Sequence, residues 1–351
     1  MFFGGGKVSL GLDIGSSHIK AVQLKEKRNG YELETFEMAP LSPDIIVDGS
    51  IIDSLRLIET LKEIVKKAKI KTKNAVISIS GHASVIIRRI SLPEMGEDEL
   101  GEFIKFEAEQ YVPFDIEDVI LDFQILGPKD EPGQMDVMLV AVKKDVINEY
   151  VTVVKEAGLV PIIVDVDAFA LSNMYEINYQ IEPGRNVALV NVGARAVNMN
   201  MVKNGVSVFT RDSSIGLNVV TEALQKEFNI SYENAERLEK GLDVEGVPAE
   251  SAQQIMGSSS EEILSEIVRS IEYFQTTTFH EEVSQILLSG GGALLKDFYK
   301  ALGDRAGIEV IIAEPFKSIT IPKRFDLGYI HEVAPLAAVA VGLALRRPFD
   351  R

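Results

Sequence analysis

Cysteine is absent from this chain of 351 residues, and its absence removes several kinds of chemistry at once. Without a thiol there is no disulfide, no thiolate ligand for a metal and no cysteine nucleophile. The absence is compatible with a reducing compartment, although it does not by itself establish one. A hydrophobic share of 46% and a charged share of 25% are typical of a soluble globular protein, and the length suits two domains.

Positively charged residues are also few compared with negatively charged ones. The 36 lysines and arginines are outnumbered by 53 aspartates and glutamates, which gives a formal net charge of −17 at pH 7. Nucleic-acid binding requires concentrated lysine and arginine, and simple electrostatic binding to anionic lipid requires the same. The composition therefore disfavours both, and we expect no nucleic-acid partner.

Long apolar runs are missing as well. The N-terminus, MFFGGGK, lacks a basic segment followed by an apolar one, so it predicts no secretion signal. The longest smooth apolar stretch, residues 333–345, contains Pro335 and is too short to cross a bilayer by itself. We therefore expect a cytoplasmic protein.

The most informative segment that is present reads VSLGLDIGSSHIKAV, residues 8–22. An apolar run that carries Asp13, a Gly-Ser-Ser turn and a second apolar run together predict a β-hairpin. Small turn residues can lay backbone N–H groups against a phosphate, and Asp13 could hold a hydrated Mg²⁺. An ordinary hairpin turn is the alternative. His18, beside the turn, could touch a ligand, although a solvent-facing side chain is the favoured expectation.

Strand-like and helix-like runs alternate along the chain, which indicates an α/β architecture. Over residues 84–158 their order is strand, helix, strand, strand, helix, and this order predicts a compact inserted subdomain. Within it, residues 94–122 are strongly acidic, with Lys105 as the only basic residue, and Pro113 is expected to stop the first helix. The acidity favours a solvated face, and a docking surface for a basic partner is the alternative.

The second half of the chain echoes the first hairpin. Residues 185–205, RNVALVNVGARAVNMNMVKNG, again read strand, small-residue turn, strand, which suggests an internal duplication. Helical patterns follow near 215–228 and 234–241, and GSSS (257–260) precedes a long helix. In QILLSGGGALL (285–295) a strand ends in three glycines before a helix. Such an arrangement can contact an anion or a nucleotide, and a tight turn is the alternative.

The segments GLDIGSSHIK, VNVGARAVN, LLSGGGALL and APLAAVAVGLALR, in this order, resemble the actin, Hsp70 and sugar-kinase superfamily over nearly the whole chain. The resemblance implies an α/β actin-like ATPase fold, with two RNase H-like lobes and ATP (or ADP) with Mg²⁺ in the cleft between them. It implies nucleotide contacts from two phosphate hairpins, a helix start, a ribose and adenine helix, and an adenosine turn. In that order these are Asp13, Gly15, Ser16, Ser17 and Lys20; Asn191, Gly193, Ala194, Arg195 and Ala196; Gly216; Glu236, Glu239 and Lys240; and Gly290, Gly291, Gly292 and Leu294.

Two further positions bear on catalysis. Asp167 begins the first connecting helix, where relatives hold a Gln, Glu or Asp near the attacking water, so the resemblance gives it a catalytic place. Asn191 stands where the second phosphate hairpin usually has an aspartate. An amide has no charge with which to hold a metal or accept a proton, and phosphoryl transfer needs charge neutralisation. We therefore expect nucleotide binding with slow or absent hydrolysis.

Residues 92–126 and 316–346 narrow the resemblance to the PilM family, the actin-like type IV pilus assembly proteins, with an FtsA-type inserted subdomain. The predicted division is a first lobe (1–83 and 159–184), the inserted subdomain (84–158), a second lobe (185–330) and a C-terminal connecting helix (331–351). The resemblance implies binding of the short cytoplasmic N-terminal tail of PilN, an inner-membrane protein, in a groove between the first lobe and the insertion. It also implies contacts with other pilus inner-membrane and motor proteins, possible self-association, and a place at the inner face of the membrane held through partners.

The aromatic residues of the insertion include Phe103, Phe106, Tyr111 and Phe114; we expect most of these four in its core and some against the peptide. Two other functions stay open. An FtsA-like or MreB-like filament is the first, although we expect no membrane-binding helix after Arg346. A small-molecule kinase is the second, with Asp167 as its carboxylate, although the insertion and Asn191 argue against it. The MFF terminus leaves a membrane-touching segment as a further alternative to a disordered tail.

Overall fold

The computed structural model describes residues 9–47, 49–81, 83–129, 131–277 and 281–347. The MFF segment lies outside the described residues. Two lobes, each built on a mixed sheet, face each other across a cleft, and a small subdomain is inserted into the first lobe.

The first lobe begins with a hairpin and a crossover helix. Its elements are β1 (Leu10–Ile14), β2 (His18–Lys27), β3 (Gly30–Pro40), β4 (Ile46–Val47), β5 (Ser50–Ile51), α1 (Ser54–Lys67) and β6 (Asn74–Ile79). Strand β1 pairs antiparallel with β2 and parallel with β6, so the Gly-Ser-Ser turn joins β1 to β2 as predicted. Helix α1 begins where the Asp53 carboxylate accepts the Arg56 backbone N–H, and it buries Leu57, Leu61 and Ile64.

The inserted subdomain is a three-stranded antiparallel sheet with one helix on it. It contains β7 (Val85–Pro93), α2 (Glu97–Ala108), β8 (Val119–Pro128) and β9 (Gln134–Lys143), with β9 in the middle. Leu100 and Ile104 of α2 pack on Val137 and Leu139 of β9. Helix α2 ends at Ala108, before Pro113, because the residue that precedes a proline is disfavoured in the helical conformation and the chain leaves the helix one turn earlier.

The chain returns to the first lobe through α3 (Lys144–Glu156), β10 (Val160–Val166) and α4 (Asp167–Asn178). The predicted boundaries grouped α3 with the insertion. Its Tyr150, Val153 and Val154 are instead buried in the first-lobe core, together with Leu57 and Leu61 of α1. Helix α3 is therefore the connection by which the first lobe holds the inserted sheet.

The second lobe is a five-stranded sheet covered by four helices. The elements are β11 (Asn186–Val192), β12 (Val197–Lys203), β13 (Val206–Ser213), α5 (Asn218–Phe228), α6 (Tyr232–Glu239), α7 (Ala249–Thr277), β14 (Val283–Gly290), α8 (Phe298–Ala306) and β15 (Glu309–Ile312). The strand order is β13-β12-β11-β14-β15. Strands β11 and β12 with the turn between them form the second predicted hairpin.

Helix α7 corrects one expectation. The GSSS segment was expected to precede the long helix, but it lies inside α7, which begins at Ala249. The hydroxyl groups of Ser258 and Ser259 donate to the Ile255 carbonyl, and the Ser260 hydroxyl donates to the Gly257 carbonyl. These bonds satisfy the serines within the helix, so the run does not break it.

The last segment completes the first lobe with β16 (Ile319–Thr320), α9 (Leu327–Val333) and α10 (Ala338–Leu345). Strand β16 pairs with β3, so the first sheet has the order β10-β6-β1-β2-β3-β16, and the return to this lobe comes before residue 330. The helical segment Leu327–Leu345 is long and apolar enough to cross a membrane by length and composition alone. Its α10 portion is buried against β1, β2 and α4, as the core helix of a globular protein would be.

Candidate functional site

A cavity of about 670 Å³ occupies the cleft between the lobes. This volume is in the range of sites that enclose small molecules and cofactors. Its wall includes both hairpin turns, the beginning of α4, parts of α5 and α6, and the glycine turn after β14. The cavity brings together every predicted site residue except Gly216 and Gly292.

The first hairpin places an ion pair beside its turn. Asp13 on β1 lies opposite Lys20 on β2, with 3.1 Å between the Lys20 Nζ and the Asp13 Oδ2. The Gly15 backbone N–H donates to the His18 carbonyl at 3.2 Å, which closes a tight turn. Gly15, Ser16 and Ser17 therefore meet the cavity with small side chains and backbone.

The second hairpin repeats the turn without the charges. Asn191 on β11 lies opposite Asn198 on β12, and the Asn191 Nδ2 donates to the Asn198 Oδ1 at 3.3 Å. The Gly193 N–H donates to the Ala196 carbonyl at 2.8 Å, as in the first turn. The two hairpins thus share a backbone design and differ in the side-chain pair beneath it.

Gly216 and Gly292 lie behind the cavity wall, where the lack of a side chain lets neighbouring segments of the chain pack closely. A Cβ on Gly216 would come within 2.6 Å of the Ala194 carbonyl, and a Cβ on Gly292 within 2.6 Å of the Val192 Cβ. These glycines let the beginning of α5 and the turn after β14 lie directly on the second hairpin. These two glycines therefore act on the site indirectly, by setting the positions of the residues next to them.

His18 does not have the solvent-facing position expected from the sequence. Its ring lies in the cavity wall, 3.2 Å from the Ser17 hydroxyl. Burial, with the positive charges of Lys20 and Lys240, lowers the pKa of His18 to about 4, so the imidazole is neutral at pH 7. A neutral ring can donate or accept one hydrogen bond to a ligand.

Asp167 opens α4 at the floor of the cavity. The Ser78 hydroxyl donates to its Oδ1 at 2.5 Å. Burial and then the negative charge of Asp13 raise the pKa of Asp167 to about 7, although hydrogen bonds from Ser78 and Ser80 oppose the shift. A carboxyl that titrates near neutrality is suited to proton transfer. Its catalytic role stays a prediction.

The far end of the cavity is formed by α6 and the glycine turn. Glu236 and Glu239 lie on α6, Lys240 follows it, and Leu294 follows the short turn Gly291–Ala293. The Thr221 hydroxyl donates to the Glu239 Oε1 at 2.5 Å. Burial raises the pKa of Glu239 to about 7 and that of Glu236 above its usual range. These acceptors suit hydroxyl and amino groups of a ligand.

A magnesium ion would fit only together with phosphate oxygens. Asp13 and Asp167 share the cavity, and the charge of Asp13 raises the pKa of Asp167, a repulsion that a cation would relieve. Among the residues that the structure describes, no group of three or more His, Cys, Asp or Glu could hold a metal. Mg²⁺ commonly takes one or two carboxylates and completes its shell with water and phosphate oxygens.

Three residues have roles at the cleft that the sequence reasoning did not identify. The Arg195 Nη2 donates to the Pro43 carbonyl of the first lobe at 2.8 Å, so the second turn is tied across the cleft. Asn198 was overlooked although Asn191 and Asn198 are spaced like Asp13 and Lys20, and that spacing was the available signal. Asp212 lies opposite Asn198 on β13, a register that no sequence pattern gives.

Comparisons with known proteins agree with this architecture. A sequence model of the family described as type IV pilus assembly protein PilM matches residues 11–348. A solved PilM–PilN type IV pilus biogenesis complex is 28% identical, with a TM-score of 0.85 over 98% of this chain and 99% of that chain.

More distant structures agree in fold alone. The ethanolamine utilization protein EutJ of Carboxydothermus hydrogenoformans is 16% identical, with a TM-score of 0.59 over 96% of this chain and 89% of that one. MreB5 of Spiroplasma citri bound to ADP is 13% identical, with a TM-score of 0.51 over 95% and 94%. The predicted actin-like ATPase fold is confirmed, and the chain belongs to the PilM family of type IV pilus assembly proteins.

Proposed function

We propose that this chain is a nucleotide-binding scaffold of the pilus machinery, which binds the cytoplasmic N-terminal tail of a PilN-type inner-membrane protein. The observation that carries the nucleotide half is the pair of hairpin turns with matching hydrogen bonds, Gly15 to His18 and Gly193 to Ala196, on one cavity. Backbone turns of small residues are suited to oxyanions, and two of them can hold a chain of phosphates.

The cavity has a polarity that matches a nucleotide. Lys20 brings positive charge to the His18 end, where the phosphates would lie, and Lys240 acts both on His18 and on the glutamates of α6. Glu236 and Glu239 offer acceptors for ribose and adenine groups, with Leu294 against the base. ATP or ADP is the proposed ligand, with Mg²⁺ held by its phosphates and, through water, by Asp13. The structure of MreB5 with ADP is consistent with this use of the fold.

Slow or absent hydrolysis is part of the proposal. Asn191 supplies an amide where a second carboxylate would help to position metal and water, and Asp167 is the remaining candidate base. Phosphoryl transfer depends on charge neutralisation and an oriented nucleophile, and this site has fewer groups for both. The nucleotide would then serve to fix the arrangement of the lobes.

A partner tail has a suitable groove between the first lobe and the insertion. Among the described strands β10 pairs only with β6, so its outer edge is open. The chain leaves the first sheet for the insertion after β6, beside the end of β10, since Ile79 of β6 pairs with Val166 of β10. Ile120 on β8 is 47% exposed and Val160 on β10 is 49% exposed. An extended peptide can add to such an edge, with backbone hydrogen bonds and apolar anchors.

The aromatic residues of the insertion divide into two groups. Phe103 and Phe114 are partly buried and pack against the core of the insertion. Phe106 is 72% exposed, and it lies on the side of α2 opposite Ile104, turned away from the sheet. Phe106 is therefore not placed to line the groove, and Ile120, which pairs with Val142 next to the beginning of α3, is the better candidate within the insertion.

A titration with the N-terminal tail peptide of the cognate PilN-type protein tests the partner. We expect a saturable heat of binding, weakened at least about tenfold by Ile120→Lys, because a desolvated apolar contact of this size contributes about 1.5 kcal/mol or more. Phe106→Lys is the matched control: it replaces an exposed apolar side chain of the same subdomain, on the side of α2 turned away from the sheet, and it should leave the affinity unchanged. If wild-type protein binds no tail peptide, with or without ATP, the partner assignment is wrong.

The remaining partners belong to the same proposal. Contacts with further inner-membrane and motor proteins of the pilus, and self-association, would build on the tail complex. The chain would then lie at the inner face of the cytoplasmic membrane through its partners, in keeping with its net charge of −17, which disfavours direct binding to anionic lipid.

A further inference from the structure

A line of hydrogen bonds leads from the second hairpin out of the nucleotide cavity. The Asn191 Nδ2 donates to the Asn198 Oδ1 at 3.3 Å, and the Asn198 Nδ2 donates to the Asp212 Oδ1 at 2.9 Å. The other oxygen of Asp212, Oδ2, accepts the backbone N–H of Gly81 at 2.8 Å. Three strands of the second lobe are thereby joined to a backbone amide of the first.

The direction of these bonds requires an amide at position 191. The Ser289 hydroxyl donates to the Asn191 Oδ1 at 3.3 Å, and the Asn191 Nδ2 in turn donates to the Asn198 Oδ1. An aspartate at 191 would offer acceptors only, so the Asn198 amide would turn towards it and present its own oxygen to Asp212. Two acceptors would then face each other, and Asp212 would lose a partner. The departure from the usual aspartate thus has a structural consequence.

The first hairpin has no such line. Lys20 occupies the place of Asn198, and its neighbour on the next strand is Met38, where the second lobe has Asp212. A thioether accepts hydrogen bonds only weakly. Among the described residues, this line of hydrogen bonds is therefore found only in the second lobe. It is distinct from the backbone turn that the two hairpins share.

The line ends at the junction with the inserted subdomain. Gly81 follows β6 and precedes β7, and its φ of +112° favours glycine there. A second cavity, of about 190 Å³, lies between β7, β13 and the beginning of α4, and both Asp167 and Asp212 line it. Asp212 thus holds the junction at a point where the insertion, the first lobe and the second lobe meet.

We propose that Asn191, Asn198 and Asp212 form a relay that couples phosphate occupancy of the cavity to the position of the inserted subdomain. A phosphate oxygen at the second turn would compete with Asn198 for the Asn191 amide, and the change would pass through Asp212 to Gly81. The inference rests on the proposed function, because its consequence is that nucleotide changes the affinity for the partner tail. Such coupling requires that the ligand prefers one arrangement of the relay.

Hydrogen exchange at the Gly81 amide tests the relay without any ligand. Asn191→Asp should speed this exchange at least about threefold, as expected for a weakened hydrogen bond at the far end. Asn186→Asp is the matched control, because it makes the same substitution on the same strand, where the Asn186 amide donates to the Glu282 carbonyl. Unchanged Gly81 exchange in Asn191→Asp, with both variants folded, would overturn the relay whether or not ligands bind.

Linked titrations test the consequence. The tail-peptide Kd of wild-type protein should change at least about threefold when ATP is added, and Asp212→Asn should bring this ratio close to one while each ligand still binds alone. A ratio of one in wild-type protein, or an unchanged ratio in Asp212→Asn, would contradict the coupling. Failure of ATP and peptide to bind wild-type protein would instead contradict the proposed function, and the exchange experiment would still decide the relay.

Discussion

The two hairpins at the cleft have the same backbone turn and differ in charge, with an ion pair beneath the first turn and a neutral pair beneath the second. Beneath the first turn, Asp13 and Lys20 form an ion pair of 3.1 Å, and beneath the second, Asn191 and Asn198 share an amide hydrogen bond of 3.3 Å. The first pair carries charges that can meet a phosphate and its metal. The second pair is neutral, and its bonds lead away from the cavity towards Asp212. The two hairpins therefore share the turn and differ in the side chains beneath it.

This difference separates binding from hydrolysis. Holding a nucleotide needs backbone turns and one set of charges, and in the proposed function Asp13 and Lys20 of the first hairpin provide those charges. Cleaving it needs a second set near the attacking water, and there the second hairpin has only amides. Each prediction below changes one side of the comparison.

Removing the charge from the first hairpin should have the largest effect. Wild-type protein with ATP and Mg²⁺ at 100 times Kd should gain about 2.7 kcal/mol in its free energy of unfolding. Asp13→Ala should lose most of that gain, since Lys20 and Mg²⁺ lose their carboxylate, and thermal unfolding with and without ATP measures it. Asp304→Ala, which removes an exposed carboxylate from α8, is the control. An undiminished shift in Asp13→Ala would show that this ion pair does not hold nucleotide.

Giving the second hairpin a carboxylate should make it resemble the first. Asn191→Asp should raise a low basal rate of ATP hydrolysis by about tenfold or more, because a positioned carboxylate can orient water and metal. Phosphate release under saturating ATP measures the rate, with Asn186→Asp on the same strand as the control. A rate that stays the same or falls would contradict the interpretation of Asn191 as the missing carboxylate.

The tie between the second turn and the first lobe should affect dissociation to a smaller extent. Arg195→Ala removes the bond to the Pro43 carbonyl, and hydrogen bonds from charged groups contribute about 1.5–3 kcal/mol. We expect the cleft to open more readily and a fluorescent ATP analogue to dissociate about tenfold faster in stopped flow, with Arg195→Lys intermediate. Equal dissociation rates in all three proteins would show that this bond does not close the cleft.

A further effect should appear in the pH dependence of stability. The pKa of Asp167 rises from 3.8 to about 7 on folding, so between these values the folded state holds a proton that the unfolded state lacks. The free energy of unfolding therefore falls as the pH rises through this window. His18, whose pKa falls from 6.5 to about 4, contributes the opposite slope between those values.

Comparison of Asp167→Asn with wild-type protein isolates the first contribution. The variant should gain stability relative to wild type from pH 4.5 to pH 7.5, and urea unfolding at several pH values measures the difference. The single substitution Asp13→Asn should reduce the dependence of the unfolding free energy on pH, because the charge of Asp13 helps to raise the pKa of Asp167. A difference between Asp167→Asn and wild type that does not vary with pH would contradict the raised pKa.

Much of the fold follows from local patterns, and the site follows from the hairpins. Period-two runs and small turns indicate both hairpins, and the family resemblance places α6 and the glycine turn at the cavity. The position of GSSS inside α7 was not predictable, because its serines are satisfied by helix carbonyls and local propensity suggests a break. The packing of α3 in the first-lobe core was not predictable either, because it depends on which residues its buried face contacts after folding.

The relay was also beyond the sequence. Asp212 belongs to the proposed relay because strand register places it opposite Asn198 and because the arrangement of the lobes brings the Gly81 amide to its other oxygen. No spacing in the chain connects positions 81 and 212. His18 shows the same limit, since its pKa is lowered by burial in the assembled cleft, with smaller contributions from Lys20 and from Lys240 of the other lobe.

A calorimetric titration of ATP with Mg²⁺ into the wild-type protein tests the central claim most directly. The account predicts one site per chain, saturable binding, and loss of that binding in Asp13→Ala with the variant still folded. Absence of binding by the wild-type protein, or equal binding by Asp13→Ala, would contradict the conclusion that the paired hairpins hold a nucleotide.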